Sequence, residues 1–286
     1  MNIKKVCVIG GGQMGRQIAL NTAIYPYEVT ITDTNEAVLE NVRAWADDYL
    51  KGRVAKGRMT QEQVDGIRER FHVVATMEEA AKDADLVIEA IIEREDVKRS
   101  VFAQLCTIVR DDTILASNSS RIPSSTFKDA VTHPERLLNL HYFNPALVMK
   151  LTEVVKGEHC SEEAIQAVYE FSKVTGKTPI IVQKEIDGFI ANRILRALRN
   201  EGLKLVEGGY CTAEEIDIAC QNGLGHPMGP FRLLDLTGID LQADILKREY
   251  ENTGVKPLGY DLIMEKYEKG EYGKKTGKGF YDYSEK

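Results

Sequence analysis

IKKVCVIGGGQMG, residues 3–15, decides the fold. A short apolar strand, Ile3–Ile9, runs straight into a glycine cluster, and a helical pattern follows from Gln13 to about Ala23. Tyr27–Thr32 (YEVTIT) then reads as a second strand that ends at Asp33. Strand, helix and strand in this space make a β-α-β unit. Gly10, Gly12 and Gly15 fill the glycine places of G-x-G-x-x-G, with Gln13 and Met14 between the last two. The motif follows a strand and opens a helix, the context in which it signals a dinucleotide site. The first glycine permits the tight turn, the second admits a pyrophosphate, and the third lets helix and strand pack closely. The free N–H groups of the helix start then face the diphosphate. A carboxylate at Asp33 can accept hydrogen bonds from a ribose, and it repels a 2′-phosphate. Neither Thr34 nor Asn35 is basic, so NAD is expected rather than NADP. A glycine-rich surface loop is the alternative, and the flanking elements weigh against it.

Further along, residues 36–70 are charged, free of proline and helical in pattern, with Gly52 and Gly57 expected to break them into two helices. Strands recur at 71–75, 85–90, 113–117, 137–141, 151–155 and 179–182, with helical stretches such as 94–109 and 161–175 between several of them. This alternation predicts an α/β, Rossmann-like doubly wound, mostly parallel sheet with a helical arm. After Gly188 the pattern turns all-α, beginning with a long helix over 189–206. The expected organisation is a dinucleotide-binding domain over 1–184 and an all-helical domain over 185–286.

The chain has 286 residues, with 37 Lys and Arg against 44 Asp and Glu, a formal charge of −7. That balance argues against a nucleic-acid polymer or a membrane surface as partner. It conceals two basic islands, Lys51, Arg53, Lys56 and Arg58 on the arm and Lys274, Lys275 and Lys278 near the C-terminus. Each island fits a solvated face or a local anion site. Five scattered Cys without a C-x-x-C pair make a disulfide framework or a metal site unexpected and suit a reducing compartment. Apolar runs fall short of a bilayer span, and none of signal-peptide length precedes the glycines. The chain is expected to be cytoplasmic.

Leu138–Glu153 (LNLHYFNPALVMKLTE) carries the chemistry candidates. His141 ends an apolar strand and Glu153 lies on the next one. An imidazole facing the cofactor crevice can take a hydroxyl proton, and a carboxylate on its far nitrogen fixes the tautomer. The same pair also suits a core histidine with a structural partner, and the pattern leaves both open. Ala116–Arg121 (ASNSSR) lies at a strand end, where doubly wound sheets bind ligands, and reads equally as a polar turn. Asn192 lies on the first helix of the second domain, in reach of a crevice or merely on a helix face.

Over nearly its whole length the chain resembles the short-chain L-3-hydroxyacyl-CoA dehydrogenases, in particular the stand-alone bacterial 3-hydroxybutyryl-CoA dehydrogenases. The resemblance rests on VCVIGGGQMGRQIA, DLVIEAIIE, ILASNSS, HYFNPALVMKLTEVV, DGFIANRI, GLGHPMGPFRLLDLTGID and GKKTGKGFYDY, in that order. It implies NAD-dependent oxidation of (S)-3-hydroxyacyl-CoA and the reverse reduction of 3-ketoacyl-CoA. It implies His141 as general base, Glu153 as its partner, Ser120 on the reacting oxygen and Asn192 placing the acyl carbonyl. Glu93, Lys98, Asn144 and Lys275 match cofactor contacts. Lys56, with Lys51 beside it on the arm, matches a CoA-binding position. The helical tail resembles a dimerisation domain, and Leu224, Phe231, Leu233, Leu234 and Leu236 supply apolar surface for a homodimer. Arg94, Arg121, Asp187 and Tyr25-Pro26-Tyr27 depart from the family pattern; none removes a catalytic group. A dehydrogenase of free hydroxy acids would share the glycines and the His–Glu pair without needing the arm. A non-catalytic NAD-binding protein would not need His141, Glu153, Ser120 and Asn192 together.

Overall fold

A computed structural model describes residues 2–284. It divides into two compact units between Ile190 and Ala191. The composition shift at 184/185 precedes that division by a few residues, because the backbone N–H of Ile190 is still held at 3.0 Å by Glu153.

In the first unit, β1 (Lys5–Ile9), α1 (Gln13–Ala23) and β2 (Glu28–Thr32) form the opening unit. Next come α2 (Glu36–Ala55), α3 (Gln61–Arg70), β3 (Phe71–Val73), α4 (Met77–Ala81), β4 (Leu86–Glu89), α5 (Glu95–Leu105) and β5 (Ile114–Ser117). The unit closes with β6 (Leu137–Tyr142), β7 (Leu151–Val155), α6 (Glu162–Val174) and β8 (Thr178–Val182). Among the described residues the eight strands form one sheet, ordered β3-β2-β1-β4-β5-β6-β7-β8. Every neighbouring pair is parallel except β6 and β7. Residues alternate between two cores: Val6 and Val8 pack with α1 and α2 residues, while Cys7 and Ile9 pack with Phe102, Leu105 and Phe127. Burial on both faces is why the strands read as continuous apolar runs rather than as alternation.

Two local expectations need correction. Gly52 does not break the arm: α2 runs through it to Ala55, anchored by buried Leu39, Val42, Ala46 and Leu50. The break falls at Lys56–Gly57, where Gly57 takes φ 64°, and Thr60 then starts α3 with a capping box. Phe189 is likewise not helical. It sits in a turn at φ 49°, and the helix begins two residues later.

The second unit holds α7 (Ala191–Glu207), α8 (Ala213–Ile218) with an irregular turn to Gly223, α9 (Pro230–Thr237), α10 (Ile239–Thr253) and α11 (Tyr260–Glu268). Its core includes Leu203, Ile216, Phe231, Leu234, Ile239, Leu246 and Ile263. Phe231 and Leu234 are therefore used inside the unit, while Leu224 and Leu236 stay more than half exposed. Two buried aspartates pin its tail. Asp217 accepts from the N–H groups of Phe231 and Arg232 and from the Tyr281 hydroxyl. Asp235 accepts from the N–H groups of Phe280 and Tyr281 and from the Tyr283 hydroxyl. Among the described residues no helix is long and apolar enough to cross a membrane.

Candidate active site

Strand order reverses between β1 and β4, and the loops after β1, β4 and β5 share the carboxyl edge there, the place where such sheets bind ligands. Gly10 turns the chain at φ 106°, its N–H on the Thr32 carbonyl at 2.8 Å. A Cβ on Gly10 would lie 2.7 Å from the Ala90 carbonyl oxygen, and one on Gly15 would lie 1.8 Å from that of Gly10. Gly12 differs: a Cβ there meets nothing within 4 Å, so it borders open space. It caps α1 with no side chain on the first-turn N–H groups. An open glycine beside uncapped helix donors is what a diphosphate needs. Asp33 is half-buried, held by the N–H groups of Gly11 at 2.8 Å and Asn35 at 2.9 Å. These residues fit a dinucleotide.

Across the sheet, β6 and β7 are antiparallel and His141 is the direct register partner of Glu153. The pairing puts His141 Nδ1 at 2.8 Å from Glu153 Oε2. His141 is 4 % exposed and Glu153 fully buried. An acceptor at Nδ1 places the proton there and leaves the lone pair on Nε2. The rings of Phe143 and Phe189 flank the imidazole, with centroids 4.5 and 5.5 Å away. Phe189 adopts its left-handed conformation while wholly buried beside this pair, a backbone arrangement that surrounding packing has to hold.

The loop after β5 lies next to this strand. Asn118 Oδ1 accepts from the N–H of Tyr142 at 3.0 Å, tying Asn118, two residues before Ser120, to the end of β6. Ser120 is half-buried. Gln13 Nε2 donates to Asn144 Oδ1 at 3.2 Å, which joins the start of α1 to the loop after His141. Asn144 precedes Pro145 through a cis peptide bond.

Lys98 is 1 % exposed, its ammonium 2.6 Å from Glu89 and 3.3 Å from Glu93. Glu93 is partly exposed and accepts from the Ser119 hydroxyl at 2.6 Å. Arg94 is turned onto Asp96, and the Arg121 side chain is exposed. Sequence reading placed Ser117 and Ser119 in the ASNSSR segment without separate roles and did not single out Glu89, although a carboxylate inside the apolar run DLVIEA was a signal. Lys51 and Lys56 are exposed on the arm. In the second unit, Asn192 lies in the first turn of α7, and Lys275 is ion-paired with Asp240 at 2.5 Å.

Comparison with known proteins fits this arrangement. The family model for the 3-hydroxyacyl-CoA dehydrogenase NAD-binding domain matches residues 5–186, and that for the C-terminal domain of the same family matches residues 188–283. The chain belongs to the 3-hydroxyacyl-CoA dehydrogenase family. Its sheet unit is that family's NAD-binding domain, and its cofactor is NAD. A family member from Bacillus subtilis, a probable 3-hydroxybutyryl-CoA dehydrogenase, is 37 % identical over all of this chain and 99 % of its own. The human mitochondrial hydroxyacyl-coenzyme A dehydrogenase is 36 % identical over 98 % of this chain and 91 % of its own. The crystal structure of (S)-3-hydroxybutyryl-CoA dehydrogenase PaaH1 from Ralstonia eutropha superposes with a TM-score of 0.89 at 32 % identity, covering 99 % of this chain and all of that one.

Proposed function

We propose that this family member oxidises (S)-3-hydroxyacyl-CoA of short acyl chain, 3-hydroxybutyryl-CoA above all, and reduces acetoacetyl-CoA in reverse. The observation that carries the reading is the buried His141–Glu153 pair on the sheet edge that also carries the glycine loop, the two linked through the Gln13–Asn144 hydrogen bond. NAD, when bound, supplies the hydride acceptor. Gly10, Gly12, Gln13, Met14 and Gly15 cradle its diphosphate, Asp33 takes the adenosine ribose, and Glu93, Asn144 and Lys275 are the further cofactor contacts; Lys98, expected as a contact, is buried on Glu89 and Glu93 and acts on the cofactor through Glu93. His141 Nε2 accepts the 3-hydroxyl proton as the carbon is oxidised. Glu153 stabilises the imidazolium so formed, and the burial of both side chains leaves the two charges little screened. Ser120 donates to the same oxygen, Asn192 orients the thioester, and Lys51 and Lys56 hold the CoA phosphates.

The second unit supplies substrate and dimer contacts. Exposed Ile218, Leu224, Leu236 and Leu241 support a homodimer. The cytoplasm is the proposed compartment. The test is NADH oxidation with acetoacetyl-CoA against free 3-keto acids, in wild type and His141→Gln. Turnover is expected only with the thioester, and the variant is expected to lose at least ~10²-fold with NADH binding unchanged. Equal turnover of the free acid would overturn the CoA assignment, and near wild-type turnover by the variant would overturn the base.

A further inference from the structure

A chain of buried polar groups joins the loop after β4 to the end of β5. Glu89, fully buried on β4, uses both oxygens. Oε1 accepts from Lys98 Nζ at 2.6 Å and from the N–H of Ile91 at 2.8 Å, and Oε2 accepts from the Ser117 hydroxyl at 2.6 Å. Glu93 repeats the pattern nearer the surface. Its Oε1 accepts from the Ser119 hydroxyl at 2.6 Å and the N–H of Arg121 at 3.2 Å, and its Oε2 lies 3.3 Å from Lys98 Nζ.

One ammonium thus serves two carboxylates unequally, and the shorter contact goes to the carboxylate that cannot meet a ligand. Lys98 is shut off from solvent, whereas the Glu93 side chain is 38 % exposed. Were Glu89 uncharged, Coulomb attraction would draw the ammonium onto Glu93. The tighter ion pair would use the open acceptor capacity of Glu93 Oε2 and offset its charge. The backbone is coupled to the same groups. Ser117 and Ser119 flank Asn118, which holds Tyr142 next to His141. Ile91 follows Ala90, whose carbonyl backs Gly10.

The geometry points to Glu89 as a positioning residue for the cofactor: by holding Lys98 it leaves the Glu93 carboxylate free to accept from a hydroxyl of NAD. This rests on the reading of Glu93 as a cofactor contact. Glu89 itself touches no ligand.

The test is fluorescence titration of the full-length protein with NADH, alongside KM and kcat for acetoacetyl-CoA reduction and the melting temperature of ligand-free protein. Glu89→Gln keeps the shape and removes the charge. Its Kd and KM for NADH are expected to rise about tenfold, the size of one lost charge-assisted hydrogen bond, while kcat at saturating NADH stays within about threefold. Glu89→Asp keeps the charge but draws it back by one methylene. It is expected to fall between wild type and Gln, and it carries the test if the Gln variant does not fold. A lowered melting temperature with wild-type Kd in whichever variant folds means a purely structural role and overturns the proposal. Wild-type protein that fails to bind NADH overturns the cofactor reading beneath it. Wild-type binding with an unaffected Glu89→Gln overturns the positioning role alone.

Discussion

Lys177 stands just before β8 with its ammonium on the carbonyls of Ala146 and Met149, in the loop that carries Asn144. It is 8 % exposed. Burial first, and the charge of Lys150 second, push its pKa down to about 8. An unfolded lysine titrates near 10.4. Between those values the unfolded chain binds a proton that the folded chain has released, so stability rises with pH across that window. The neutral amine keeps two N–H groups, enough for both carbonyls. We expect Lys177→Met to lose this rise, measured as urea unfolding free energy between about pH 8 and 10; an unchanged slope would contradict the assignment. The buried settings of Lys177 and Glu89 were not legible in the sequence. Their partners lie in other elements, and a lone charge in an apolar run does not say what neutralises it. His141 and Glu153 were legible as a candidate pair because one short connection joins two recognisable strands. The proposal of a catalytic rather than a core pair rests on their burial, their register and the glycine loop taken together.

Among the elements, β1 and α1 were the most legible, since three glycines and a strand-to-helix switch leave few alternatives. The arm was harder. A glycine inside a helix costs only about 1 kcal/mol relative to alanine, so burial of Leu50 and its neighbours carries α2 through Gly52, whereas Gly57 has the left-handed conformation that ends a helix. The three motif glycines are not equivalent. Gly15→Ala would drive a methyl group into the Gly10 carbonyl and is expected to destabilise the protein by at least about 2 kcal/mol. Gly12→Ala meets no protein atom, so it should melt like wild type yet bind NADH much more weakly. Calorimetry with and without NADH separates the two; a Gly12→Ala protein with wild-type affinity would remove the diphosphate from that glycine.

At the scale of the whole molecule, the change to all-α sequence was legible, but the division itself falls where tertiary contacts release the chain. An apolar list could not separate Phe231 and Leu234, which fill the second unit's own core, from Leu224 and Leu236, which do not. We expect sedimentation to show a dimer at micromolar concentration and Leu236→Glu to weaken it; a monomeric wild type would remove that inference. The net charge of −7 describes the whole chain and conceals the exposed lysines of the arm. Lys56→Ala should raise KM for acyl-CoA far more than for NADH, and the difference between variant and wild type should shrink as salt screens the wild-type contact. Equal effects on both would contradict it. The one antiparallel pairing in the sheet also bears on the order of assembly. His141 and Glu153 are 12 residues apart, whereas Gly10 meets the Ala90 carbonyl from a distant part of the chain. Closing a short loop costs less entropy than closing a long one. A refolding chain is therefore expected to bring His141 and Glu153 together before the glycine loop gains its backing, so that the proposed acid–base pair is in place ahead of the dinucleotide cradle.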